Sequence, residues 1–138
     1  MIIKSHLLSE YYINQILILR EICSVKDIET WTFHEKIEKA LNLTNAEEKL
    51  IFDYNNRLNK LRNKVGHELE YSLSESDIDS LGYVQGKDYI LNKYEIETDL
   101  ERLRSMLNNI VINTALILIN SIAEEKKKEK NASIAKIE

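Results

Sequence analysis

The chain has 138 residues, no proline, three glycines, one cysteine and 30% charged residues, with a net charge of −4 and a pI near 5.5. A chain of this length builds one core, and the scarcity of turn formers disfavours hairpin-rich β folds. The acidic balance disfavours a surface that coats nucleic acid non-specifically, and the lone Cys23 excludes an internal disulfide and a cysteine-cluster zinc site.

The opening Met1-Ile2-Ile3-Lys4-Ser5-His6 lacks the ordered basic, apolar and small-residue regions of a signal peptide. The first helix is expected from about Ser5 to Ile22. Leu7, Leu8, Tyr11, Gln15, Ile18, Leu19 and Ile22 share one broad face of it, and Ile13, Ile16 and Leu17 lie on the other side. A helix apolar nearly all round must be covered on both sides, which hints at a subunit contact. Thr32-Phe33-His34-Glu35 is a capping-box pattern opening a second helix, with Phe33, Ile37 and Leu41 turned inward. Thr44-Asn45-Ala46-Glu47 repeats the pattern and opens a third helix that runs to about Tyr71. Residues 72–86 are polar and read as a loop, with a short helical turn near Asp77 to Leu81.

A last helix is expected to start between Asp88 and Thr98, preferably at the Thr98-Asp99-Leu100-Glu101 box. Its main apolar face is Leu100, Leu103, Leu107, Ile110, Val111, Leu118 and Ile122, with a weaker one at Ile112, Leu116 and Ile119. Within it the run Ile110 to Ile122 is broken by Asn113, Thr114, Asn120 and Ser121, and reads as too short and too polar to span a bilayer. Glu124 to Lys130 is a charge run, and the tail from Asn131 is expected to fray. The whole is read as one cytoplasmic, all-α domain with no membrane segment and a charged tail from about residue 124.

The third helix carries two stripes. At 100° per residue, Ile51, Tyr54, Leu58, Leu61, Val65 and Leu69 form the core side. Asn56, Asn59, Asn63, His67 and Glu70 form a second stripe, read as facing away from the core. Solvated faces favour Lys and Glu, so three Asn and a His there point to hydrogen bonding. Arg57, Lys60, Arg62 and Lys64 surround the stripe, and Arg62 sits at its margin. Gly66 costs about 1 kcal/mol in a helix relative to Ala, which makes sense if something approaches the backbone beside His67.

The chemistry these residues support is phosphate chemistry on RNA. A His titrates near neutral pH and can move protons, a guanidinium holds a phosphate in a fork, and Asn63 can orient the imidazole or a ribose hydroxyl. RNA supplies its own 2′-OH as nucleophile, so neither metal nor cofactor is required. One His67 per chain does not serve easily as both base and acid, and a symmetric dimer supplies the second. Asn56, Asn59, Lys60 and Lys64 are candidate substrate-binding residues. His6 and Glu10, at i and i+4, form a candidate accessory pair that a surface hydrogen bond explains equally well.

Arg62-Asn63-Lys64-Val65-Gly66-His67 resembles the Rx4–6H signature of the HEPN superfamily, and Leu58 to His67 resembles its longer LNxLRNxxAH form. His6-Leu7-Leu8 with Glu10, and Phe33, Lys36, Ala40 and Leu41, resemble the first two helices of small members. The resemblance implies a four- to five-helix up-and-down bundle that forms a homodimer, with two motifs meeting in a cleft. It implies a metal-independent endoribonuclease in toxin–antitoxin or phage-defence systems, with a cognate antitoxin as partner, or a non-catalytic dimerising or nucleotide-binding module. Arg62 and His67 would be the catalytic pair and Asn63 the accessory polar residue. Leu69 stands where some toxin members carry a regulatory Tyr, which argues against that subgroup.

Overall fold

The computed structural model describes residues 1–42, 44–67, 73–81 and 99–137. Six helices and no strand lie among them: α1 (Ile2–Leu19), α2 (Val25–Thr30), α3 (Phe33–Leu41), α4 (Ala46–His67), α5 (Glu75–Ser80) and α6 (Asp99–Ile137). The all-helical bundle expected from the sequence is therefore present. Leu69, Glu70, Tyr71, the expected loop where it extends beyond residue 81, and the expected Thr98 cap fall outside the described residues.

The three longest helices, α1, α4 and α6, pack on one another as a triangle. α1 runs antiparallel to α4, since His6 meets Asn59 near one end and Arg20 meets Glu48 near the other. α1 runs parallel to α6, since Arg20 bonds Ser121 late in both helices while Leu8 and Ile112 share a groove earlier. α3 lies across α1 and α4, where its Phe33, Ile37 and Ala40 join Ile13, Ile16, Leu17 and Phe52 in one apolar cluster. α5 puts Ile78 and Leu81 into a second cluster with Leu58 and Leu61 of α4 and Leu103, Met106, Leu107 and Ile110 of α6. Asn55 of α4, the one fully buried side-chain amide among the described residues, donates to the Ile51 carbonyl and to Thr114 Oγ1 of α6 at 2.9 Å. These bonds satisfy its NH2 group at the junction of the two clusters, while its Oδ1 is buried with no partner among the described residues.

Several sequence expectations change. α1 starts at Ile2 and stops at Leu19, and within the bundle only one of its two apolar faces is covered. Ile13, Ile16 and Leu17 are buried, while Leu7, Leu8 and Tyr11 are exposed. The core side also carries His6 and Ser9, and these two polar residues mask it in a purely hydrophobic count. The early stop is a Schellman turn, with Ile22 N–H on the Leu17 carbonyl and Glu21 N–H on the Ile18 carbonyl. Glu21 takes the left-handed position at φ 58° that glycine normally fills, so no glycine marks the stop.

α2 was not anticipated. It is capped by Ser24, whose Oγ accepts from the Asp27 N–H while Asp27 Oδ2 accepts from the Ser24 N–H. Ser74 and Asp77 cap α5 in the same way. The cap of α4 is Asn45 rather than Thr44. Asn45 Oδ1 accepts from the Glu48 N–H at 2.9 Å, and the Glu48 carboxylate is held in turn by both terminal nitrogens of Arg20.

α6 has 39 residues, about 58 Å of helix. Leu103, Leu107 and Ile110 point inward as expected, but Leu100 and Ile122 are exposed along with Ile112, Leu116 and Ile119. The tail does not fray at Asn131, because the helix continues to Ile137. By length and composition α6 also qualifies as long and apolar enough to cross a bilayer, which the run Ile110 to Ile122 alone did not suggest; a third of its apolar window is buried within the bundle.

A left-handed non-glycine residue costs about 1 kcal/mol. Glu21→Gly is therefore expected to raise unfolding stability by about that much. An increased urea midpoint with unchanged slope checks it, and an unchanged or lowered midpoint contradicts the assignment.

Candidate functional site at the end of helix α4

The polar stripe of α4 does not face away from the bundle. Asn56, Asn59 and Asn63 are half-buried, and two of them meet neighbouring helices. His6 Nε2 donates to Asn59 Oδ1 at 3.0 Å, and His34 Nδ1 lies 3.3 Å from Asn56 Oδ1. The reason is Phe52, which projects on the same side of α4 and is fully buried against α3. In the N-terminal half of α4 this side is therefore the floor for α1 and α3. Only toward the C-terminal end does it emerge into solvent, where His67 is exposed.

At that end Arg62 Nη1 donates to Asn63 Oδ1 at 3.1 Å, and both side chains are half-buried. His67 follows Asn63 by one helical turn, so the two share a face. Arg62 and His67 are separated by about 140° around the helix and about 7.5 Å along it. The guanidinium therefore reaches the stripe from its margin and is tied there by Asn63.

Lys60 and Lys64 do not join this group. At 100° per residue they fall about a quarter turn beyond Asn59 and Asn63. With Arg57, Leu61 and Ser80 they line a separate cleft of about 280 Å³ against α5. Lys64 Nζ is 3.5 Å from Asp77 Oδ1, and Arg57 Nε is 3.0 Å from Asp53 Oδ2. The expected substrate-binding set is thus divided, with the amides on one side of α4 and the lysines on another.

His6 is not a surface residue either. It is 3% exposed, and its ring lies tilted on Phe33 at 4.4 Å between centroids. Its Nδ1 faces Glu10 Oε2 at 4.0 Å, and Glu10 Oε1 holds Lys36 Nζ at 2.9 Å. Lys36 is as buried as His6, and sequence reasoning gave it no place in the site. A lysine on the inward side of α3, between Phe33 and Ala40, was the available signal. Burial pushes the His6 pKa below 6.5; Asn59 and Glu10 oppose that, and Arg62 and Lys36 reinforce it. At neutral pH the ring is accordingly neutral, with its proton on Nε2 and directed to Asn59. Asn59 lies one turn before Asn63, so His6 acts on the site by holding this face of α4 in place rather than by touching solvent.

Among the described residues, nothing lies within 4 Å of a Cβ built on Gly66. Among the described residues no group of three or more His, Cys, Asp or Glu is arranged to hold a metal ion. A cavity of about 490 Å³, lined by Arg20, Glu48, Asn113, Leu116, Asn120 and others, lies toward the opposite end of the bundle and includes none of the sequence-selected residues. Comparisons with protein-family models, curated proteins and solved structures found no match.

Two predictions follow from these contacts. The His6 pKa is lowered in the folded protein, so below about pH 6.5 the unfolded chain takes up the proton first. The stability from a neutral His6 is complete above that pH and declines as pH falls toward the lowered value. Thermal melts between pH 7 and 5 should show a steeper loss in wild type than in His6→Gln; parallel curves would contradict the buried neutral ring. Gly66→Ala, with no described residue within 4 Å of its methyl group, should stabilise the isolated chain by about 1 kcal/mol. Chemical denaturation reads this directly, and a destabilised variant would show that another surface approaches Gly66.

Proposed function

We propose that this chain is a HEPN-type, metal-independent endoribonuclease acting as a cytoplasmic homodimer, of the kind found as toxins or phage-defence effectors with a cognate antitoxin. The observation that carries this reading is the Arg62–Asn63 bond at the half-buried margin of α4 beside an exposed His67 one turn on. A guanidinium oriented by an amide offers a fixed fork to a phosphodiester. A solvent-accessible imidazole is free to take up and give back a proton at the reacting oxygen.

In this reading one His67 removes the proton from a ribose 2′-OH. The 2′-oxygen attacks the adjacent phosphorus, and Arg62 stabilises the charge that develops on the non-bridging oxygens. The bond to the 5′-oxygen breaks, and His67 of the second copy protonates the departing oxygen. The products are a 2′,3′-cyclic phosphate and a 5′-hydroxyl. Lys60 and Lys64, on their own side of α4, take no part in these steps.

A second reading, a non-catalytic HEPN dimerising or nucleotide-binding module, is favoured by the same amides. Asn63 is engaged by Arg62 and Asn59 by His6, as in a purely structural network. Cleavage of single-stranded RNA in excess chelator separates the two. The ribonuclease reading expects cutting by wild type and losses of about 100-fold or more in Arg62→Ala and His67→Ala, with little change in Lys60→Ala. Equal residual cutting in wild type and both variants would leave the module reading.

A further inference from the structure

The triangle of α1, α4 and α6 has three outward grooves. α3 covers the groove between α1 and α4, and α5 packs beside that between α4 and α6. Among the described residues nothing covers the third, between α1 and α6. It holds a depression of about 340 Å³ whose walls include Met1, Lys4 and Leu8 of α1 and Arg104, Val111 and Ile112 of α6. Two of the lining residues are cations and none is a carboxylate. The register that sets Arg20 beside Ser121 brings Lys4 level with the turn that carries Arg104, so the two charges flank one end of the groove. Both are exposed, and neither has an ion-pair partner among the described residues. In a chain of net charge −4, two cations sharing a depression without a carboxylate are a local exception. Beyond them the surface turns apolar, with Tyr11 of α1 and Ile112 and Ile119 of α6 exposed by 57%, 56% and 58%. Around α1, Lys4, Leu8 and Tyr11 fall within about 60° of one another, and around α6, Arg104, Ile112 and Ile119 fall within about 80°. Cations and apolar side chains therefore share one outward face.

We infer that this α1/α6 face docks on the surface of an anionic membrane. Charge complementarity carries the assignment. An anionic lipid surface presents phosphate in a layer above hydrocarbon, and it holds amphipathic helices by apolar burial together with attraction to Lys and Arg. Lys4 and Arg104 have long stems that reach the phosphate layer while Leu8, Ile112 and Ile119 enter the boundary beneath it. Tyr11 suits the same layer, with an apolar ring and a polar tip. α6 lies on the membrane rather than across it. Its length and composition suffice for a bilayer, but a third of its apolar window is buried within the bundle, and Leu103, Leu107 and Ile110 are in the core with α4 and α5. A soluble anion held by the two cations leaves the exposed tyrosine and isoleucines unaccounted for, and a purely apolar partner leaves the two cations unpaired. The face lies on the side of the bundle away from α4, so docking leaves Arg62 and His67 in solution.

This inference does not rest on the ribonuclease reading, and its test measures lipid binding rather than RNA cleavage. The full chain is sedimented with vesicles of phosphatidylcholine alone and with vesicles of an equimolar phosphatidylcholine–phosphatidylglycerol mixture. Wild type is expected to pellet with the mixed vesicles, to stay in the supernatant with phosphatidylcholine alone, and to be released by high salt. Lys4→Glu combined with Arg104→Glu is expected to stay in the supernatant with either vesicle and to keep its helical content, since both side chains are exposed. Arg104→Gln, expected to weaken binding about fivefold, serves if the double variant loses its helicity. Ile119→Gln leaves both cations in place and is expected to weaken binding about tenfold. Wild type that stays in the supernatant with the mixed vesicles overturns the inference, including a wild type that has covered this face with a second copy. Equal pelleting with both vesicle types overturns it, as does a folded charge-reversal variant that pellets like wild type. Ile119→Gln binding as tightly as wild type would reduce the face to an anion site and overturn it as well.

Discussion

The structure depends on what α4 is asked to cover. Its 22 residues meet α1, α3 and α6, so more than half of its circumference is interior. A helix so placed cannot divide simply into an apolar core side and a polar outer side. It carries an apolar stripe toward α6 and, about a third of a turn away, a side that is aromatic at Phe52 and amide-rich from Asn56 to Asn63. The polar part of that side is tolerated inside the bundle because its neighbours are polar as well. His6 is the hydrogen-bond partner of Asn59, and Glu10 with Lys36 closes a charged pair beside the ring. Removing one member would leave another buried and unsatisfied, which is far more costly than a bond to water lost at a surface.

This constraint also shapes the candidate site. Arg62 and Asn63 sit where the buried polar side of α4 passes out of the bundle, so their backbone is fixed by the His6–Asn59 contact one turn earlier. Such support allows a guanidinium to be held in one orientation at low entropic cost, as a site that must recognise a phosphate requires. The two lysines flanking Arg62 in sequence line the cleft against α5, where Lys64 reaches Asp77. Proximity along a helix of this kind therefore says little about shared function, and angular position says much more.

The helical fold was legible from patterning and composition, and the short turn near Asp77 was found from its polar sequence. The motif from Arg62 to His67 was visible as a string, but Asn63, read as orienting the imidazole or a ribose hydroxyl, accepts from Arg62 instead. What could not be read was the orientation of α1 and of the amide stripe, and for one reason. Hydrophobic spacing equates buried with apolar, whereas His6, Ser9, Lys36 and Asn55 are buried polar residues, and His6, Lys36 and Asn55 find partners on other helices. A long-range bond such as His6 to Asn59 leaves no local spacing to detect. α2 was missed on a smaller point: its cap is Ser-x-x-Asp, and the shorter acidic side chain closes the same box as Glu.

The central claim is that Arg62 and His67 form a site that uses RNA's own 2′-hydroxyl. End-group analysis of the products tests it most directly, using an oligoribonucleotide and its counterpart with single 2′-deoxy substitutions. The account predicts 2′,3′-cyclic phosphate and 5′-hydroxyl ends, with no cut 3′ to a deoxy position. Ends bearing 3′-hydroxyl and 5′-phosphate, or cutting beside a deoxy residue, would contradict it.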